Sequence, residues 1–183
     1  MKEKINSGIM WNEAGKAGIV LGGVVIIYSL LVSLAAQLNG ALSGILAFVL
    51  WGAKFGGCLC LMRFFLQKLA QRYDGVTNRK AFSYGVRIAL LSALVCSAYA
   101  LSDAILHPET VEEVFGLVRS QLSEMNMLDS NTLDAMDRMQ RNYPAYMFFS
   151  NLIYCFLFGT VVAKIYSSRF PQADPFGDAD EQI

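Results

Sequence analysis

This chain is poorest in histidine, in charge, and in cysteine outside its apolar runs. Its one histidine, His107, precedes a proline, so histidine-based metal sites and catalytic triads have nothing to build on. Charged residues make up only 16% of the chain, where a soluble domain carries about a quarter. Lysines and arginines balance aspartates and glutamates at a formal net charge of zero, so the overall balance predicts no nucleic-acid partner. Cys58, Cys60, Cys96 and Cys155 all fall inside apolar runs. A thiol oxidoreductase of a helical membrane bundle needs cysteines at or beyond the outer interface, where substrate can reach them. Buried thiols acting as small hydrophobes fit better. Cys58 and Cys60, two apart on a helix, point to different faces and form no zinc motif. No phosphate-binding G-x-x-x-x-G-K-[ST] loop, H-E-x-x-H or G-x-S-x-G pattern occurs. The reading is of a non-enzyme with no catalytic, cofactor-binding or metal-ligating residues.

What the chain does have is length of apolar sequence. Mean hydropathy is +0.41 and 55% of residues are hydrophobic, with the charge gathered between long apolar runs. Four runs qualify as spans, at 17–38, 42–65, 82–106 and 145–166. The first carries no charge and, at about 1.5 Å per residue, covers roughly 33 Å, enough for the hydrocarbon core of a bilayer. It is too long for the apolar core of a cleaved signal peptide, which is about 7–15 residues, so it is expected to be a retained helix. Only Asn39, Gly40 and Ala41 separate the first two runs, which predicts an antiparallel helical hairpin. The expectation is an all-α integral membrane protein: four transmembrane helices in an up-down bundle.

Cations set the orientation. Lys2, Lys4 and Lys16 lie in the first sixteen residues, and Lys68, Arg72, Arg79 and Lys80 in or beside the 66–81 loop. Lys164 and Arg169 lie at the end of the fourth span. In the 107–144 connection Arg119, Arg138 and Arg141 are outnumbered by Glu109, Glu112, Glu113, Glu124, Asp129, Asp134 and Asp137. Both termini are therefore expected in the cytoplasm, with 107–144 extracytoplasmic. A basic juxtamembrane loop such as 66–81 attracts anionic headgroups. Arg63 and Arg87 are expected to snorkel to the same interface.

Each span carries small residues at helical spacing: Gly18 and Gly22 on the first, Gly40, Gly44, Gly52, Gly56 and Cys60 on the second, Gly85 and Ala89 on the third, and Gly159 and Ala163 on the fourth. Such residues let backbones approach in lipid, where helices gain little from apolar burial. The expectation is a bundle with those faces turned inward; a dimerisation face at Gly18 and Gly22 is the other reading.

The second span also holds Lys54 near its middle, about 18 Å from either end. A lysine at that depth costs about 2.5–3.5 kcal/mol on insertion scales and cannot snorkel free. Tyr28, Ser97, Asn151 and Cys155 are the polar groups nearest in depth, and no carboxylate shares its level. Either Lys54 lines a hydrated cavity or binds an anion, or its stem packs in the bundle and its amine meets hydroxyls and water. Lys54, Tyr28, Asn151 and Ser97 form the candidate polar site.

The 107–144 loop reads as two amphipathic helices. Val111, Val114, Phe115, Val118, Leu122 and Met125 share one face, with Thr110 and Glu113 placed for a capping box. Leu133, Met136, Met139 and Tyr143 form a second pattern before Pro144, which is expected to restart the chain for the last span. The acidic tail at 167–183, with its prolines at 171 and 175, is expected to be disordered.

Together, the glycine-bearing first span, the segment Lys80-Ala81-Phe82-Ser83-Tyr84-Gly85, the loop Ile105-Leu106-His107-Pro108-Glu109 and the return through Pro144 to Phe158-Gly159-Thr160 and Lys164 resemble the bacterial membrane family catalogued as domain of unknown function 4199. The resemblance implies a four-span inner-membrane protein and no activity. Two functions are consistent with these readings. One is a non-enzymatic structural, assembly or lipid-organising role, with the lipid bilayer, further copies of the chain or other membrane proteins as partners. The other is a small oligomeric transporter or channel component using Lys54 as an anion or proton site.

Overall fold

The computed structural model describes residues 3–4, 6–36, 41–127 and 129–172. The link at Asn39 and Gly40 and the tail beyond 172 lie outside the described residues. Five helices follow one another: α1 (Ser7–Ala36), α2 (Ala41–Arg72), α3 (Asn78–Leu106), α4 (Pro108–Glu124) and α5 (Ser130–Ser167). α1, α2, α3 and α5 are long and apolar enough to cross a membrane. Two short strands, β1 (Glu3–Lys4) and β2 (Tyr73–Asp74), pair in parallel, Glu3 against Tyr73. Nothing in the sequence patterning signals them. Beyond β2 the chain turns at Gly75, whose φ of +69° lies in the left-handed region that glycine tolerates without cost.

The chain forms two compact units. The first comprises Met1–Cys96 and Tyr154–Ile183, the second Ser97–Ile153. In the first unit α1, α2, the early part of α3 and the late part of α5 surround one core. Met10, Ala14, Ala17 and Leu21 mark the buried face of α1, at spacings of three and four. They meet Met62, Leu66 and Leu69 of α2, Ala81, Tyr84, Ile88 and Ala89 of α3, and Val162 and Ala163 of α5. α3 is central: 33% of its most apolar stretch is buried, against 22% for α1 and 6% for α2.

Glycine explains how α3 comes to be flanked so tightly. A Cβ added at Gly18 would stand 2.7 Å from the Leu91 Cβ and 3.3 Å from the Ile88 carbonyl. One at Gly22 would stand 2.8 Å from Val95, so α1 rests directly on α3. Across the other side of α3, a Cβ at Gly85 would meet Ala163 at 2.6 Å, and one at Gly159 would meet Ala89 at 2.6 Å. The stripe on α2 behaves differently: among the described residues nothing lies within 4 Å of a Cβ built at Gly44, Gly52 or Gly56. The inward-facing stripe expected there is not realised. Spacing by four defines a face but does not say which way it points.

The second unit pairs α4 with the first half of α5. Phe115 is buried with its ring edge-on to Tyr143, centroids 5.7 Å apart. Arg119 donates to Asp137 at 2.6 Å and to Gln140 at 3.0 Å. Asn126, at φ 53°, turns the chain after α4, and Met127 N–H closes on the Leu122 carbonyl at 2.9 Å.

Two local expectations change here. α4 begins at Pro108 with His107 as N-cap and no side-chain cap, so the Thr110–Glu113 capping box does not form. Proline's fixed φ suits the first helical position and leaves one fewer N–H to satisfy. Pro144 does not restart the chain either. α5 runs unbroken from Ser130 to Ser167 with Pro144 inside it, giving up one backbone hydrogen bond but not the helix. Its 38 residues exceed the ~20 that a bilayer requires.

Two measurements follow. Gly22→Leu and Gly159→Leu should each overpack the α3 contacts and cost about 1–3 kcal/mol, lowering the melting temperature of the detergent-solubilised protein, whereas Gly52→Leu should leave it unchanged. Asp129 accepts the Thr132 N–H at 2.7 Å, and hydrogen bonds from Thr132 hold its carboxyl below the usual aspartate value. A depressed acid stabilises above its unfolded value and stops doing so as pH falls through the folded one. Amide exchange at Thr132 and Leu133 should therefore accelerate only under acid conditions, and in Asp129→Ala it should be fast at neutral pH.

Candidate functional site

Lys54 lies on α2, half-buried. It is close enough to Cys58 on its own helix, to Cys96 on α3 and to Cys155 on α5 to act on each electrostatically. The thiols of Cys96 and Cys155 hydrogen-bond to each other, and Cys96 Sγ lies 3.9 Å from the Gly22 carbonyl of α1. All four helices of the first unit thus converge at one level. The groups there include soft, weakly polar sulfurs, and none of the four cysteines is in a disulfide.

Of the other residues nominated with Lys54, Tyr28 belongs to the same unit. It is half-buried, and its hydroxyl has no hydrogen-bond partner among the described residues. Ser97, fully buried, and Asn151, half-buried, belong to the second unit. Near Lys54 a ring stack extends along α2 from Trp51 to Phe55, and Phe55 meets Phe158 of α5 edge-on at 5.0 Å. The groups within electrostatic reach of this lysine include the thiols of Cys58, Cys96 and Cys155, and the Ser92 side chain hydrogen-bonds Cys96. Among the described residues no group of histidine, cysteine and acidic side chains is arranged to hold a metal.

A second site lies at the basic end of the first unit, and residue spacing does not announce it. Glu13 of α1 accepts from Lys16 at 3.2 Å through one oxygen and faces Arg72 of α2 at 3.6 Å through the other. Tyr84 of α3 donates its hydroxyl to the Glu13 carbonyl at 3.5 Å. One acidic residue therefore ties three helices together. A cleft of about 210 Å³ opens beside it, lined by Lys16, Lys68, Arg72, Tyr73 and Tyr84 on its polar side and Ala17, Val20, Phe65 and Leu69 on its apolar side. The signal available in the sequence was the i,i+4 pair Lys68 and Arg72 on one helix face, one acid on α1, and the short connection that brings β2 back. Only the fold puts them together.

Arg63 is exposed. Arg87 is half-buried, with its guanidinium 4.9 Å from the Trp11 ring centroid, a cation–π contact that suits a partly desolvated cation. Lys164 lies 5.4 Å over the Phe82 ring.

No protein-family model matches the chain, and no curated protein or solved structure matches it.

Exchanging Lys54 for methionine removes a charge from among thiols and rings while keeping the stem's length. Lys54→Met should fold and melt at or above the wild-type temperature, a rise of a few degrees corresponding to roughly 1–2 kcal/mol. A lower melting temperature would show that the ammonium is a structural tie.

Proposed function

We propose that this chain is a non-enzymatic, four-span protein of the bacterial inner membrane, with both termini cytoplasmic, whose role is structural: assembling with other membrane components or organising lipid around itself. Membership of the family of unknown function 4199 is part of the same proposal and is carried by the sequence motifs alone. Four long apolar helices support the membrane location, and the cation bias between loops supports the orientation.

The observation that carries the assembly role is the open face of α2. Gly18, Gly22, Gly85 and Gly159 lie against a neighbouring helix, whereas Gly44, Gly52 and Gly56 present the same small-residue surface with nothing within 4 Å among the described residues. Phe48, Val49 and Trp51 beside them are exposed. A partner helix seated there would gain close backbone contact of the kind that drives association in lipid.

Two experiments bear on this. A photo-crosslinking amino acid at position 52 should trap a second copy or another membrane protein in native membranes; recovery of isolated monomers alone would count against assembly. For orientation, green fluorescent protein at the C-terminus should fluoresce and alkaline phosphatase fused after Asp129 should be active, and the opposite pattern would reverse the topology.

A further inference from the structure

We propose that the cleft between the basic ends of α1 and α2 binds the phosphodiester headgroup of an anionic phospholipid. The inference rests on the membrane reading above and names the lipid chemistry that reading would involve. Three cations, Lys16, Lys68 and Arg72, face one carboxylate, Glu13. Glu13 engages Lys16 and Arg72 through different oxygens, so it holds them apart on opposite walls while leaving each with unused N–H donors. The Lys68 ammonium sits 5.8 Å over the Phe64 ring. The result is a pre-positioned cationic set with a net positive charge, suited to phosphate oxygens.

The gradient along the cleft points to a lipid in particular. Following α1 forward, the lining passes from Glu13 and Lys16 to Ala17 and Val20; following α2 backward, it runs Arg72, Leu69, Lys68 and then Phe65. Both walls carry their charges toward one end and finish on an apolar side chain, Val20 and Phe65, about two turns further on. A free anion would need only the charged level. A phospholipid uses both, with its phosphate at the cations and its glycerol and first methylenes against Ala17, Val20 and Phe65. Val20 is about half exposed, so the apolar end of the cleft is open to the surroundings of the helices, where acyl chains would continue. Basic pockets between helices at the cytoplasmic side are a recognised mode of headgroup binding. The volume, about 210 Å³, is roughly that of seven liquid waters, enough for a phosphoglycerol group.

Native mass spectrometry of the detergent-purified full chain tests the site, with phosphatidylglycerol or phosphatidylcholine added at equal concentration. Wild type should retain one phosphatidylglycerol at least fivefold more often than phosphatidylcholine. The double variant Lys68→Gln, Arg72→Gln should lose that preference, and Arg79→Gln, Lys80→Gln, outside the cleft, should keep it. Glu13→Gln should strengthen retention about twofold, which keeps the test decisive if the double variant does not fold. Equal retention of both lipids by wild type, or a preference that survives the double variant, would overturn the proposal. Displacement of the lipid by millimolar inorganic phosphate would overturn the lipid assignment in favour of a free-phosphate site. Loss of headgroup preference alongside crosslinking at position 52 would dispose of this site and leave the assembly reading standing; the reverse pattern would do the opposite.

Discussion

Between α1 and α3 the main chains stand so near that a single methyl at Gly18 would meet Leu91, and a methyl at Gly159 would meet Ala89 on the other side of α3. The order of the first unit depends on those approaches. In lipid, apolar burial gives helices little reason to prefer one another over acyl chains, so close backbone contact has to supply the preference. α3 is gripped on two sides by residues with no side chain to exclude the neighbour. The larger core groups, Met62, Leu66 and Ile88, are nearly fully buried beside that seam. The buried residues that α2 gives this core, Met62, Leu66 and Leu69, lie in its basic half, with Cys58, Leu59 and Leu61 packed against them; among the described residues nothing lies within 4 Å of a Cβ built at Gly44, Gly52 or Gly56.

That division has a consequence for function. The half of α2 that is packed ends in Lys68 and Arg72, which face Glu13 and Lys16 across the cleft. The half that is unpacked ends in the Gly44–Gly56 face. One helix thus offers a polar site at one end and a small-residue surface at the other, with Lys54 between them beside the thiols of α3 and α5. An assembly or lipid-organising role uses both ends. Lys54, the residue that looks most chemical in the sequence, lies within electrostatic reach of three thiols.

Much of the fold was legible in the residues. Four apolar runs of bilayer length give four long helices because hydropathy at that scale leaves few alternatives. Gly18, Gly22 and Gly159 could be picked out by spacing, and each does meet a neighbour. The same rule selected Gly44, Gly52 and Gly56, which meet none of the described residues; period shows that residues share a face, and only the fold shows what that face meets. Pro144 looked like a break and lies inside a helix, because one lost hydrogen bond is small against the many others along α5. The capping box at Thr110 lost to Pro108, two residues earlier, which is already set for a helical start. Glu13 drew no attention as a lone acid in a run of small and apolar residues. Its role depends on Arg72 and Tyr84, which are remote in sequence.

The central claim is that α2's open face is covered by another membrane component in the cell. Labelling with an apolar, photoactivated carbene reagent reads this directly, in native membranes and again in liposomes where the purified chain is too dilute to associate. α3 between Tyr84 and Ala93 should be spared in both, because it is buried within the chain itself. The α2 peptide covering 44–57 should be spared in native membranes and heavily labelled in dilute liposomes. Equal labelling of that peptide in the two preparations would contradict the account.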